Sequence, residues 1–438
     1  MYENRAKVVT VPPAEAVARH RCSMNALHRS TLGAIALGTL LAAGSCGRGL
    51  GSEPVSTRDP DATNGDTPIA IVGVNVVPMT SNVVLRDQTI VTRGGVIELL
   101  GPSTSTRAPD DAVVVHGNGR YVMPALIDMH VHLTGGGIDA YATAGIGTVR
   151  NMWGTSGIAT MAREGEAGRW NGPRIVSASP GVDGEPPQWP GTLIVRSPND
   201  ARATVQAQAA AGWSFLKVYT RLSAESFDSV MAAARAMGIR PIGHVPLAVD
   251  LQHALDEGMR SIEHLTGYDR AVSRTRQSGT WGWVDADPSR FAALAGATAR
   301  AGTWNCPTLA IYAELARQHS GADRERIIAN RRRFVLELSR AGARILAGTD
   351  AGIDIVAPGA SLHDELRELV AAGLTPFDAL SAATTSAAEF LGRTDIGRVA
   401  VGARADVVLV RRDPLANIQH TKEIDGVILR GAWRPIRD

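Results

Sequence analysis

The stretch "LIDMHVHL", residues 126–133, reads as an apolar strand that carries two histidines spaced by two. Period-two geometry puts His130 and His132 on one face of that strand. Seven further runs of the same style follow: "GIGTVRNM" (145–152), "PRIVSAS" (173–179), "SFLKVY" (214–219), "RPIGHV" (240–245), "SIEHL" (261–265), "TWNCPTL" (303–309) and "RILAGTD" (344–350). Helical runs such as "AESFDSVMAAARAMG" separate them. Eight β/α units in about 270 residues predict an α/β fold, a (β/α)8 TIM barrel over 126–395.

The flanks have a different pattern. "PIAIVGVNVVPM" (68–79), "DQTIVTRGGVIELLG" (87–101) and "AVVVHGNGRYVMP" (112–124) are short β-rich runs divided by turn residues. "GARADVVLVRRDP" (402–414) and "IDGVILRGAW" (424–433) repeat the style. The two ends are therefore expected to join in one small antiparallel β-sandwich, with 67–125 as its first part and 396–438 as its second.

The first 45 residues read as leader and signal peptide. "MNALHRSTLGAIALGTLLAAGSC" (24–46) has a basic stretch at His28 and Arg29, an apolar stretch from Thr31 to Ala43, then small residues. It is too short to span a membrane. Met24 is a candidate start. "AAGSC" resembles a bacterial lipoprotein box with Cys46 as the lipidated residue, although Ala43 stands where Leu is usual. Cleavage after Ser45 is the competing reading. Residues 46–66, rich in Gly, Pro, Ser and Asp, read as a flexible tether. The expectation is an exported bacterial protein, periplasmic or anchored in the envelope, otherwise secreted. Its only membrane contact would be the lipid anchor.

Composition excludes several classes. Of 438 residues, 44% are hydrophobic and 20% charged, and the net charge of +2 argues against a nucleic-acid surface. Arg331, Arg332 and Arg333 read as a solvated helix face. Cys22, Cys46 and Cys306 form no C-x-x-C pair, so neither a disulfide framework nor a cysteine-ligated zinc site is implied. Cys306 lies in a strand and reads as inert core. The partner is a small-molecule substrate, and a homo-oligomer remains open.

In a TIM barrel the C-terminal strand ends build the active site. Besides His130 and His132, those ends carry Lys217, His244, His264 and Asp350. Singly, each has a bland explanation. His264 could be a core histidine, Asp350 a turn cap and Lys217 a snorkelling side chain. Jointly those explanations fail, because chance would not put all six at one mouth. Four imidazoles, one amine and one carboxylate make a metal site of N and O ligands. Lys217 is one of three lysines in a chain that otherwise writes arginine. An amine can lose its proton and take up carbon dioxide as a carbamate, a two-oxygen anion able to bridge cations; a guanidinium cannot.

These residues resemble the amidohydrolase superfamily. The resemblance runs through "ALIDMHVHL", "FLKVY", "GHV", "SIEHL", "AGTDAG" and the tail "ATTSAAEFLG…ADVVLV…DPL", over essentially the whole chain after the leader. Within it, the chain is most similar to the imidazolonepropionase-like and Xaa-Pro or Xaa-Arg dipeptidase-like group with a carboxylated lysine. That resemblance implies two divalent metal ions, usually zinc. His130, His132 and Asp350 would hold one, His244 and His264 the other, and carboxylated Lys217 would bridge them. It also implies cleavage of an amide or peptide-like C–N bond by a metal-bridged hydroxide, with Asp350 as general base and then acid.

Substrate selection is less legible. Tyr219, two residues past Lys217, points to the same mouth and could bond a carbonyl or oxyanion, or simply pack. Arg221, Arg150 and Tyr268 are candidates to hold a substrate carboxylate. Two long loops, 180–198 and 269–285, carry Trp189, Trp281 and Trp283 as exposed wall or lid. A dipeptide or N-acyl amino acid is the expected substrate. The alternatives are a mononuclear deaminase or imidazolone-type hydrolase, an ester, lactone or organophosphate hydrolase, and a non-catalytic envelope binding lipoprotein. "GHVPLAVD" has no Glu just after His244, which counts against the first.

Overall fold

The computed structural model describes residues 67–134, 137–170 and 172–436. The expected signal peptide, the tether and the lipidation residue Cys46 lie outside the described residues.

Leu126–Val131, Ile146–Asn151 and Arg174–Ser177 pair in parallel in one sheet. Phe215–Val218, Arg240–Gly243, Ser261–Glu263 and Trp304–Cys306 run parallel in a second. The short strands Val182–Asp183 and Leu193–Ile194 extend its first edge. A bridge between Ala178 and Phe215 joins the two sheets.

The run expected as an eighth strand, 344–350, forms no ladder of its own. It is attached by bridges, Ile345 to Asn305 on one side and Ala351 to Val131 on the other. The physical reason lies in "AGTDAG". A Cβ on Gly348 would lie 2.8 Å from the backbone N of His130, so the chain passes too close for a side chain. Asp350 then takes a left-handed φ of 59°, which ends extended structure.

Between the strands lie the expected helices. Ala224–Met237 is representative: the Ser223 side chain accepts from Ser226 N at its start, and Gly238 closes it in the left-handed region. Phe227, Val230 and Met231, at helical spacing, are fully buried, each contributing about 1.5–3 kcal/mol.

The chain ends meet in one eight-stranded sheet, ordered Ala432–Pro435, Ile424–Leu429, Val407–Val410, Tyr121–Pro124, Ile69–Val76, Leu85–Arg93 and Val96–Pro102, with Val113–His116 paired to Ile69–Val76. It is mixed, not purely antiparallel as expected, because Ile69–Val76 runs parallel to both Val113–His116 and Tyr121–Pro124. Alternation serves two cores. Val407 and Leu409 pack with Ile69, Ile71 and Ile428, whereas Val408 and Val410 join the main core with Ile146.

The arginine run corrects another expectation. Arg331 is not solvated; only 2% of it is exposed. It donates to the carbonyls of His264 and Pro307 and lies 3.7 Å from the centre of the Tyr312 ring. Cys306 is buried core, its thiol pushed up by burial.

Candidate metal centre

His130, His132, His264 and Asp350 converge. Nε2 of His130 lies 3.2 Å and Nε2 of His132 lies 3.1 Å from Oδ1 of Asp350. Nε2 of His264 is 3.8 Å from Oδ2. His244 joins from the next strand end, its ring centre 5.1 Å from that of His264. Lys217 completes the set from strand Phe215–Val218, fully buried.

Three of the four imidazoles are tied at their other nitrogen. Nδ1 of His130 is 2.8 Å from Oε2 of Glu263, Nδ1 of His244 is 2.9 Å from Thr220 Oγ1, and Nδ1 of His264 is 2.8 Å from Thr308 Oγ1. Three Nε2 atoms are thereby left for the centre. Burial holds the imidazoles of His132, His244 and His264 below their ordinary value, that is, neutral. Burial alone would raise Asp350, but the surrounding imidazoles of His264 and His130 outweigh it and hold the carboxyl well below the usual range. Burial lowers the Lys217 ammonium to about 8.

The donor set fits a divalent cation. Nε2 of His130, Nζ of Lys217 and Oδ1 of Asp350 are buried without a hydrogen-bond partner. Ligand atoms of His130, His264 and Asp350 lie within 4.8 Å of one another. Orphaned buried polar atoms of this kind cost free energy unless something binds them, and neutral imidazole with carboxylate suits zinc-like ions.

Two backbone features aim the ligands. Asp128 accepts from the N–H of His130 and from both N–H and Oγ1 of Thr349, which ties the first strand to the 344–350 run. The N–H of Asp350 donates to the His130 carbonyl at 2.7 Å. His264 takes a φ of 61° directly after the strand Ser261–Glu263. That break in alternation lets Glu263 and His264, adjacent in sequence, both serve the interior.

Sequence reasoning missed Glu263, Asp128, Thr220 and Thr308. Only Glu263 carried a signal, a carboxylate between an apolar residue and a histidine in "SIEHL". It also misplaced Arg150 and Tyr268. Arg150 is fully buried, donating to both Glu263 oxygens at 2.9 Å and to the Met129 carbonyl. Its guanidinium is therefore committed beneath the centre and does not face substrate. Tyr268 is buried at the start of the helix Tyr268–Val272 with its hydroxyl 2.8 Å from Thr298 Oγ1. Trp283, expected on an exposed loop, is fully buried.

Tyr219 does stand beside the centre. The Tyr219 ring stacks on His244 at 4.2 Å between centres. Trp189 Nε1 donates to the Tyr219 hydroxyl at 2.7 Å. Arg221 is exposed, its Nη1 donating to the Pro186 carbonyl.

The chain is similar to several known proteins. The bottromycin amidohydrolase has a similar structure, at a TM-score of 0.69 and 26% identity, over 84% of this chain and 87% of that one. A protein described as a prolidase from Bifidobacterium longum matches at 0.69 and 24%, over 85% and 96%. The fold of these neighbours is that of a TIM barrel. An adenine deaminase of Deinococcus deserti is 25% identical over 362 residues, which is 78% of this chain and 56% of that protein. The chain spans about half the length, or less, of the curated relatives it matches. The sequence pattern of the amidohydrolase family matches residues 121–434, and the chain belongs to that family.

Proposed function

We propose that the chain hydrolyses the C–N bond of a dipeptide or N-acyl amino acid at a binuclear divalent-metal centre, most simply zinc. His130, His132 and Asp350 would hold one ion and His244 and His264 the other, with Lys217 as its carbamate between them. A closed (β/α)8 barrel with a β-sandwich made from both chain ends goes with this reading. So does export, with Cys46 lipidated or the chain released after Ser45.

The bound ions would supply an activated water and polarise the scissile carbonyl. The rest falls to side chains. Glu263, Thr220 and Thr308 hold three imidazoles with Nε2 inward. Asp350, acceptor-only and ionised, takes the proton of the attacking water at its carboxylate and passes it to the leaving nitrogen. Lys217, buried and easily neutralised, adds its Nζ lone pair to carbon dioxide and releases one proton, giving an anion where an ammonium would be repelled. Arg221 is the cation left to meet a substrate carboxylate.

The observation that carries this reading is the convergence of histidine Nε2 atoms on Asp350 with Nδ1 of His130 and His264 engaged elsewhere. The test is a screen of the zinc- and bicarbonate-loaded chain against Xaa-Pro dipeptides and N-acyl amino acids. Release of free amino acid supports it. A second reading, deamination, is favoured by the adenine deaminase relative. Conversion of adenine without hydrolysis of any amide would put that reading first.

A further inference from the structure

Loop 184–192, between the short strands Val182–Asp183 and Leu193–Ile194, is built rigidly around one carboxylate. Asp183 is fully buried and accepts from the backbone N–H groups of Gly184, Gln188 and Arg221. Thr192 Oγ1 adds a bond to the Trp189 carbonyl. A Cβ on Gly181 would lie 2.4 Å from the Trp153 ring, so the chain there is shaped to the indole. The result is a fixed wall.

Trp189 on that wall joins an aromatic set, with Trp153 and Tyr219 from other strand ends, one ring away from the centre. Tyr219 is stacked on His244, meets Trp153 edge-on at 5.5 Å and accepts the indole N–H of Trp189. Trp189 stays 43% exposed although its one polar atom is satisfied, so what it presents is an apolar face. Holding a large indole open in a rigid loop beside a polar centre costs burial that packing would otherwise gain. Leu247, exposed three residues past His244, donates its N–H to the carbonyl of Thr220, the residue after Tyr219. A cationic guest is disfavoured, because the Arg221 guanidinium is bound to the same loop at Pro186.

From this geometry we infer that Trp153, Tyr219 and Trp189 form a subsite for a flat apolar group, such as an aryl ring, carried next to the reacting carbonyl. The inference rests on the metal-centre reading above and names the substrate class of that site. An aromatic guest gains both area burial and ring-on-ring contact there, whereas a methyl group reaches neither face.

The test uses two small hydroxamates that differ in that group. Calorimetry on the zinc-loaded chain, with metal content measured first, compares benzohydroxamic with acetohydroxamic acid. The subsite predicts a preference for the benzo compound of about tenfold or more. Trp189→Ala should bring the ratio close to one, and Trp189→Phe, which keeps an apolar face, should retain most of it. Thermal midpoints equal to the parent's would show that loop and fold survive. Equal affinities in the parent, no binding of either compound to the metal-loaded chain, or an unchanged ratio in Trp189→Ala would overturn the subsite. A chain that takes up no zinc would instead sink the metal-centre reading, and the subsite with it.

Discussion

Nδ1 of His130 lies 2.8 Å from Oε2 of Glu263, and both side chains are fully buried. Arg150 holds the same carboxylate through Nη2. Burial alone would raise Glu263, but the Arg150 guanidinium and the His130 bond outweigh it and keep the carboxyl far below its ordinary value. An ionised acceptor at Nδ1 places the imidazole proton there and leaves Nε2 as the free base that a metal requires.

Glu263→Gln should therefore weaken metal binding by about 10–100-fold, because the amide can donate to Nδ1 and favour the wrong tautomer. Zinc competition against a chromogenic chelator measures this. Parent-like affinity would mean that the carboxylate only packs.

Arg150 separates structure from substrate recognition. Arg150→Met leaves the Glu263 charge buried with its main partner gone, at a cost of about 3–5 kcal/mol in urea unfolding. A substrate-binding arginine would instead raise KM with little loss of stability.

Much of this centre was legible in the sequence, and the reasons are local. His130 and His132 obey strand alternation, so spacing alone places them together. His264 follows a strand and Asp350 an apolar run, where polar residues are conspicuous. The failures come where local pattern and tertiary context part. Arg150 follows the same alternation, which sends it into the interior, but nothing in "TVRNM" names its partner 113 residues away. "SIEHL" shows the carboxylate of Glu263, but that it shares the interior with His264 follows only from the positive φ of His264. The 344–350 run reads as a strand, yet Gly348 is there to let His130 come close, and the ladder breaks. Arg331 looked like a surface residue because its carbonyl acceptors, on His264 and Pro307, lie on other elements.

Asp350→Asn keeps the side-chain shape but removes the proton acceptor. Turnover should fall by about 10²–10⁴-fold in kcat, with a circular dichroism spectrum like the parent's. Retained turnover would show that another group moves the proton.

His363 gives the fold a pH dependence away from the centre. It is buried on the helix Ala360–Ala371, between Thr421 Oγ1 and the Ala144 carbonyl, and burial lowers it from 6.5 to about 4. Between those values the unfolded chain binds the extra proton. Its contribution is complete above pH 6.5 and is lost as pH falls towards 4, by about 3 kcal/mol. Urea midpoints across this range should decline, and His363→Gln should flatten the decline. An identical slope in the variant would assign the effect to other groups.

Lys217 and the converging histidines are proposed to hold two metal ions. Metal per chain, measured by plasma mass spectrometry after loading with zinc and bicarbonate, tests it most directly alongside Lys217→Arg. Two ions per chain are expected in the parent and one or none in the variant. One ion in both would contradict a lysine-bridged pair and bring the mononuclear, deaminase-like reading forward.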